Sequence, residues 1–179
     1  MNSGNKIDKR KSIISRTLTV ILVLLILAGL SSLAYYVANP RQTEYFSEFY
    51  ILGFEGKAEN YPKEFTMSGG QIIRIYYGSG TDHAVDGQDA KVTLGVSNQE
   101  KTAAVYWLSA SINGEAINLN NSPIIGPIDL DPGQKLDQIV RFTPLTVGRD
   151  QIVEFFLYEG RQDQLKDRLR LHIDVLEGQ

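Results

Sequence analysis

The sequence predicts a mainly β protein: an immunoglobulin-like antiparallel β-sandwich of about 7–8 strands behind one N-terminal transmembrane helix. Three observations carry this expectation. Residues 17–38 form a run of 22 residues without a charge. Beyond Pro40, apolar and polar residues alternate with period two in one segment after another. No amphipathic helix of ordinary length follows Pro40.

The apolar run is long enough to cross a bilayer, whose hydrocarbon core takes ~20 helical residues to span. Tyr35 and Tyr36 stand near its exit end, where amphipathic rings favour the headgroup layer. Pro40 ends the helix, since it lacks an amide donor and disfavours helix at Asn39. Lys6, Lys9, Arg10, Lys11 and Arg16 precede the run, against one acid, Asp8. After Pro40 the chain carries 13 basic and 20 acidic residues, a net of −7. Basic flanks stay on the cytoplasmic side. The expected organisation is a basic cytoplasmic tail at 1–16, a transmembrane helix at 17–38 and an extracytoplasmic β-sandwich domain at 41–179. This is a single-pass signal anchor of the cell membrane, touching the lipid bilayer through 17–38. A cleaved signal peptide is the rival reading, with Ser32-Leu33-Ala34 as a small-x-small site. Signal peptides have apolar cores of only ~7–15 residues, so the length favours an uncleaved anchor.

The exterior segment is of ordinary single-domain size and can build a core without staples. The chain contains no cysteine, which excludes thiol catalysis, thiolate metal sites and a disulfide framework. Its exterior acidity argues against nucleic acid, which calls for a basic face.

The strands read in order. Residues 44–52 are the first, and Ile73, Ile75 and Tyr77 mark another. Val92, Leu94 and Val96 share one face; Tyr106, Leu108, Ala110 and Ile112 share the next. Asn113-Gly114 then signals a two-residue hairpin turn, because both residues tolerate positive φ, with 115–119 returning. Leu136, Gln138, Val140 and Phe142 alternate and stop at Pro144. Val153, Phe155 and Leu157 follow, and Leu169, Leu171, Ile173 and Val175 close the domain. Asp131-Pro132-Gly133 is a turn between strands.

Residues 48–62 read EFYILGFEGKAENYP; VTLGVSNQE (92–100), VYWLSASINGE (105–115), QIVEFFLYEG (151–160) and LRLHIDV (169–175) follow. Together these resemble the membrane-anchored domain of unknown function 1616 family, through the pattern FYILG-x-x-GKA-x-x-YP. Two features depart from it. Phe54 stands where members often have Pro, and 69–90 reads as an enlargement. The resemblance implies an extracytoplasmic sandwich tethered to the membrane and assigns no reaction and no catalytic residue.

Lys57, Glu59 and Tyr61 in that pattern, together with Trp107, form the candidate interaction surface. The alternative is structural: Gly53 and Gly56 set a tight bend, with Tyr61 and Pro62 anchoring a corner. Trp107 alternates away from Tyr106 and Leu108, so it is core only if its face is covered. Asp82, Asp86 and Asp89 share a Gly-containing loop with His83; their spacing is not that of an EF-hand, and a solvated loop is the simpler reading. His172 and Asp174 lie two apart on one strand face, without a nucleophile motif, and read as solvated. Asn120-Asn121-Ser122 is a formal sequon followed by Pro123, which disfavours its use.

No catalytic, cofactor or metal constellation emerges. The expected function is therefore binding: a tethered module of the cell envelope with a protein or surface polysaccharide partner. The alternatives are an accessory enzyme on envelope glycans, with Glu55, Glu59 and Glu154 as carboxylates by type, or a structural spacer.

Overall fold

The computed structural model describes residues 4–38, 45–78 and 84–178, with helix side chains described over 18–35. The chain divides into two units, Met1–Glu44 and Tyr45–Gln179. The first holds one 35-residue helix, α1 (Gly4–Ala38), which extends through most of the basic segment. Within it, Leu18–Tyr35 is long and apolar enough to cross a membrane. Its large apolar side chains are exposed from Leu18 to Leu33. Within the apolar stretch the Ser31 hydroxyl is satisfied locally: its Oγ donates to the Leu27 carbonyl at 2.8 Å.

The second unit is the expected two-sheet, mainly β domain. The described residues contain eleven strands. These are β1 (Ser47–Leu52), β2 (Pro62–Ser68), β3 (Gln71–Tyr77), β4 (Ala84–Asp86), β5 (Ala90–Asn98), β6 (Ala104–Ile112), β7 (Glu115–Ile117), β8 (Ile125–Leu130), β9 (Lys135–Phe142), β10 (Gly148–Glu159) and β11 (Leu165–Glu177). The small sheet runs β1-β5-β9. The large one runs β4-β3-β2-β11-β10-β6-β7, with β8 sharing the outer side of β6.

Two details differ from the sequence reading. Three strands are additional: β2, β4 and β8. Each hides its pattern for a physical reason. A register shift interrupts β2, β4 is only three residues long, and β8 contains the cis peptide Gly126-Pro127, a composition that argues against a strand. The second difference is orientation. β2 lies parallel to β11, with Asp174 opposite Glu64 and Val175 opposite Phe65, so the large sheet is mixed.

The core lies between the sheets. Tyr106, Leu108, Ala110 and Ile112, with Val153, Phe155 and Leu157, are buried from the large sheet; Val92, Leu94, Val96, Val140 and Phe142 are buried from the small one. Phe142 joins the layers, with its ring 6.3 Å from Phe65 and 5.8 Å from Phe155. The last pair is edge-on, the arrangement aromatic quadrupoles favour.

The turns at Asn113-Gly114 and Asp131-Pro132-Gly133 follow the chemistry read from sequence; the one at Asn120-Asn121, read there only as a sequon, is additional. Asn113 and Gly114 take φ of 52° and 86° between β6 and β7, as a type I′ turn requires. Asn120 and Asn121 form a second such turn, with φ of 51° and 65° and Leu119 paired to Ser122. At Asp131-Pro132-Gly133, Gly133 has φ 78° and the Gln134 N–H closes on the Asp131 carbonyl at 3.0 Å.

On the outer side of the small sheet, the Tyr50 ring lies across Gly95. A Cβ at Gly95 would meet Tyr50 Cζ at 2.0 Å. The Tyr50 hydroxyl donates to Asp137, and Lys135 sits 3.0 Å from the same carboxylate. Tyr50 and Lys135 hold the Asp137 carboxyl below its usual range, and Lys135 is pushed up to about 12 by Tyr50 and Asp137.

Candidate binding cleft

The four residues expected to form one surface lie in two places. Lys57 and Glu59 sit on the loop between β1 and β2. That loop closes on itself: Gly53 N–H donates to the Lys57 carbonyl at 2.7 Å, and Gly56 N–H to the Gly53 carbonyl at 2.9 Å. Gly53 is required there, because a Cβ would lie 1.9 Å from the Glu59 carbonyl oxygen. Lys57 and Glu59 pair loosely at 3.8 Å and are both well exposed.

Tyr61 turns the other way and donates its hydroxyl to the Ile51 carbonyl at 3.1 Å. Phe46 faces β5 through its carbonyl. By the two-residue repeat of a strand, the Ile51 carbonyl therefore points to the free side of β1. Tyr61 thus blunts an open sheet edge, and Pro62 beside it is buried.

Trp107 is half-buried on the outer face of the large sheet, opposite Tyr158. β8 passes close over it: a Cβ at Gly126 would meet Trp107 Cδ1 at 2.7 Å. Following the pairings from β2 through β11 and β10, Pro62 is level with Asn113, six residues along β6 from Trp107. That is ~20 Å along the strands, so Trp107 and the Lys57–Glu59 loop do not form one patch.

The remaining sequence candidates resolve separately. His172 contacts Asp150 rather than Asp174, with Nδ1 2.7 Å from the Asp150 carboxylate. Asp174 is taken by the Asp150 backbone N–H at 2.7 Å. The cause is the irregular start of β10, which lifts Asp150 into left-handed backbone at φ 51°. Glu154 lies against Arg170 at 2.8 Å and Arg168 at 3.6 Å. Glu55 is exposed on the loop. Asp82 and His83 fall outside the described residues. Asp86 is on β4, paired with Arg74 at 3.0 Å, and Asp89 accepts a bond from the Thr143 hydroxyl. Among the described residues no three His, Asp or Glu are grouped to hold a metal.

Two concave features lie elsewhere among the described residues. A hollow of about 650 Å³ lies between β9 and the segment 116–121, lined by Asn118, Asn121, Ile139, Arg141 and Leu145, among others. A second, of about 330 Å³, lies where 85–89 meets the small sheet, lined by Phe54, Tyr77 and Lys91. Asp89 and Arg141 line both, so the two adjoin. Phe54 and Tyr77 form a tilted ring pair at 4.8 Å. Burial pushes the Tyr77 hydroxyl up, offset in part by the bond it accepts from the Lys91 N–H.

One side of this cleft is sealed by Asn120. Its N–H donates to the Arg141 carbonyl (3.0 Å), its Oδ1 accepts the Arg141 N–H (2.9 Å), and its Nδ2 donates to the Ile139 carbonyl (3.3 Å). The sequon's acceptor nitrogen is thus engaged in holding β9.

The cleft unites two features that sequence reading left apart. Phe54 is one departure from the FYILG pattern, and 85–89 belongs to the other, the enlargement. Lys91 and Arg141 were not singled out. The only signal for them is that each is the charged member of an alternating strand.

No family model matches the chain, and no curated protein matches it. Solved structures resemble it distantly. The CARDB domain of a Pyrococcus furiosus protein is 10% identical, covering 75% of this chain and 95% of that one, with a TM-score of 0.43. The N-terminal domain of PorA is 13% identical over 72% of this chain and 97% of that one, TM-score 0.34. A Bacteroides uniformis β-glucuronidase is 17% identical over 48% of this chain, TM-score 0.36, and the chain spans only 11% of that enzyme.

Proposed function

We propose that this chain is a single-pass, membrane-anchored binding domain of the cell envelope, with its N-terminus cytoplasmic and its β-domain outside. It binds a protein or polysaccharide partner through the cleft shared by Asp89 and Arg141. The observation that carries the reading is this cleft, whose larger hollow of about 650 Å³ is of the size ligand sites occupy. The exposed apolar helix and the basic residues before it support the anchor and its orientation. The FYILG-x-x-GKA-x-x-YP resemblance to the domain of unknown function 1616 family belongs to the same proposal. Binding is preferred to glycan hydrolysis because both carboxylates lining the cleft are already engaged, Asp86 by Arg74 and Asp89 by Thr143.

The test is photo-crosslinking of the full-length chain in native membranes. Probes go at Asn118 and Leu145 in the cleft, and at Lys57 and Trp107 as separate positions. One recurrent species captured from the cleft supports the proposal. Capture from Lys57 or Trp107 alone moves the binding surface there. Lipid and scattered background at all four favours a spacer.

A further inference from the structure

Lys91 and Arg141 stand directly opposite one another on β5 and β9. Their backbone amides turn away from each other: the Arg141 N–H goes to Asn120 and the Lys91 N–H to the Tyr77 hydroxyl. This is the non-hydrogen-bonded type of pair, in which Cα atoms approach to ~4.5 Å and side chains lie closest. Like charges placed so repel one another. Both residues are exposed. Among the described residues neither has an acid within 4.0 Å; Lys63, Lys101, Arg149 and Arg161 also lack one, but none of those four stands opposite a second cation across a strand ladder. The surroundings are acidic, with a net of −7 beyond Pro40. Two adjacent, unneutralised cations break the ordinary rule of charge placement, and such breaks concentrate at functional sites.

The backbone around the pair narrows the ligand class. Asn120 occupies the N–H and carbonyl of Arg141 and the carbonyl of Ile139. An extended peptide adding to β9 by strand pairing finds no free ladder beside the cations. What the cleft offers is side chains: an ammonium, a guanidinium, the amides of Asn118 and Asn121, the half-buried ring of Phe54, and the carboxylates of Asp86 and Asp89, which are held by Arg74 and by the Thr143 hydroxyl. A guanidinium fork matches a carboxylate, amides and an ammonium bond hydroxyls, and an aromatic ring packs on an apolar face. A polymer of sugar acids presents all three partners. The hollows on either side of Arg141 give such a chain a path past the cations.

Resting on the binding reading above, we infer that the cleft takes a carboxylate-bearing polysaccharide, and that Lys91 and Arg141 hold its acid groups.

The experiment is calorimetric titration of the full-length chain in phosphatidylcholine nanodiscs. The probe is oligogalacturonate, compared with the same oligomer after reduction of its carboxyl groups. Expected is saturable binding of the acid form only. It weakens by about tenfold or more in Arg141→Ala and in Lys91→Ala, in line with loss of a charge-assisted bond, while Lys57→Ala binds as wild type. Both cleft variants keep the wild-type melting temperature, since the side chains are exposed and removal relieves repulsion. Equal binding of both oligomers overturns the role of the cations and leaves the cleft a sugar site. No binding of either, with a protein captured from Leu145 by crosslinking, overturns the polysaccharide and keeps the binding module. No binding and no capture overturns both readings.

Discussion

Asn98 is fully buried at the end of β5, and its amide holds three segments together. Nδ2 donates to the Thr102 carbonyl at 2.9 Å and to the Leu130 carbonyl at 2.8 Å, while Oδ1 accepts the Glu100 N–H at 2.9 Å. Its backbone closes the turn before β9, through the Gln134 carbonyl at 2.9 Å and the Gly133 N–H at 2.7 Å. Asn98→Ala deletes the three amide bonds and leaves their partners behind. The Leu130 bond is buried, and an orphaned buried acceptor costs ~1–3 kcal/mol. The other two bonds are partly buried, and their partners regain water at ~0.5–1.5 kcal/mol each. The expected loss is about 3–4 kcal/mol. With ~2.1 cal/mol/K of unfolding entropy per residue, a domain of this size loses ~12 °C of melting temperature.

Asn98→Asp sharpens the test, because it keeps the shape and the Oδ1 acceptor but replaces the donor. At neutral pH a carboxylate then faces two carbonyls without a proton between them. Burial raises its folded-state pKa above the ~3.9 of the unfolded chain. Stability is therefore lowest above the folded pKa and recovers as pH falls through it, levelling below ~4. Urea unfolding of the full-length chain in detergent, followed by Trp107 fluorescence from pH 4 to pH 7, reads both variants. A loss below 1 kcal/mol in Asn98→Ala, or an Asn98→Asp deficit that does not change with pH, refutes the donor role assigned to Nδ2.

Three further outcomes are expected. Gly53→Ala places a Cβ 1.9 Å from the Glu59 carbonyl oxygen, so the loop backbone must move; a loss of ~2–3 kcal/mol in urea unfolding is expected, with Gly56→Asn close to neutral as a control. Phe155→Ala removes a fully buried ring packed on Phe142 and costs ~3–5 kcal/mol by the same measurement. Lys166 lies 2.8 Å from Glu100 and 2.6 Å from Glu159, and it holds the Glu100 carboxyl below its usual range. A depressed carboxylate contributes stability that is present above its unfolded pKa and lost as pH falls through the folded one. Lys166→Met is therefore expected to cost about 1 kcal/mol at pH 7 after screening, with the difference from wild type vanishing toward pH 3.

The fold was legible where a strand buries one face. β10, the second half of β11 and β6 as far as Ala110 alternate cleanly because their inner residues are buried and their outer residues are partly open to solvent; Ser111, on the outer face of β6, is buried. The Asn113-Gly114 turn was legible because positive φ at both residues admits few side chains. β5 was found through Val92, Leu94 and Val96, yet Thr93, Gly95 and Ser97 on its other face are buried as well. Tyr50 covers that face from β1, a contact that no local pattern encodes. β8 was missed because its Gly-Pro step contradicts strand composition, and only its pairing with β6 makes it one.

The candidate site was less legible, for a related reason. Lys57, Glu59 and Tyr61 drew attention because they are close in sequence and sit among glycines. Local spacing of that kind reports a turn first, and here the turn is closed by the Gly53 and Gly56 amides and by the Tyr61 hydroxyl. Lys91 and Arg141 are 50 positions apart, and each is unremarkable as the polar member of an alternating strand. Their juxtaposition exists only through the β5–β9 register, and a slip of one residue would turn one of them to the other face. That register is fixed at distant points: by Val92 and Val140, both fully buried opposite one another, and by Asn120 gripping β9 from the far side. The core thus sets the position of a charged pair that the core itself does not need. A charge pair held at its own electrostatic cost is better explained by what it meets than by what it stabilises.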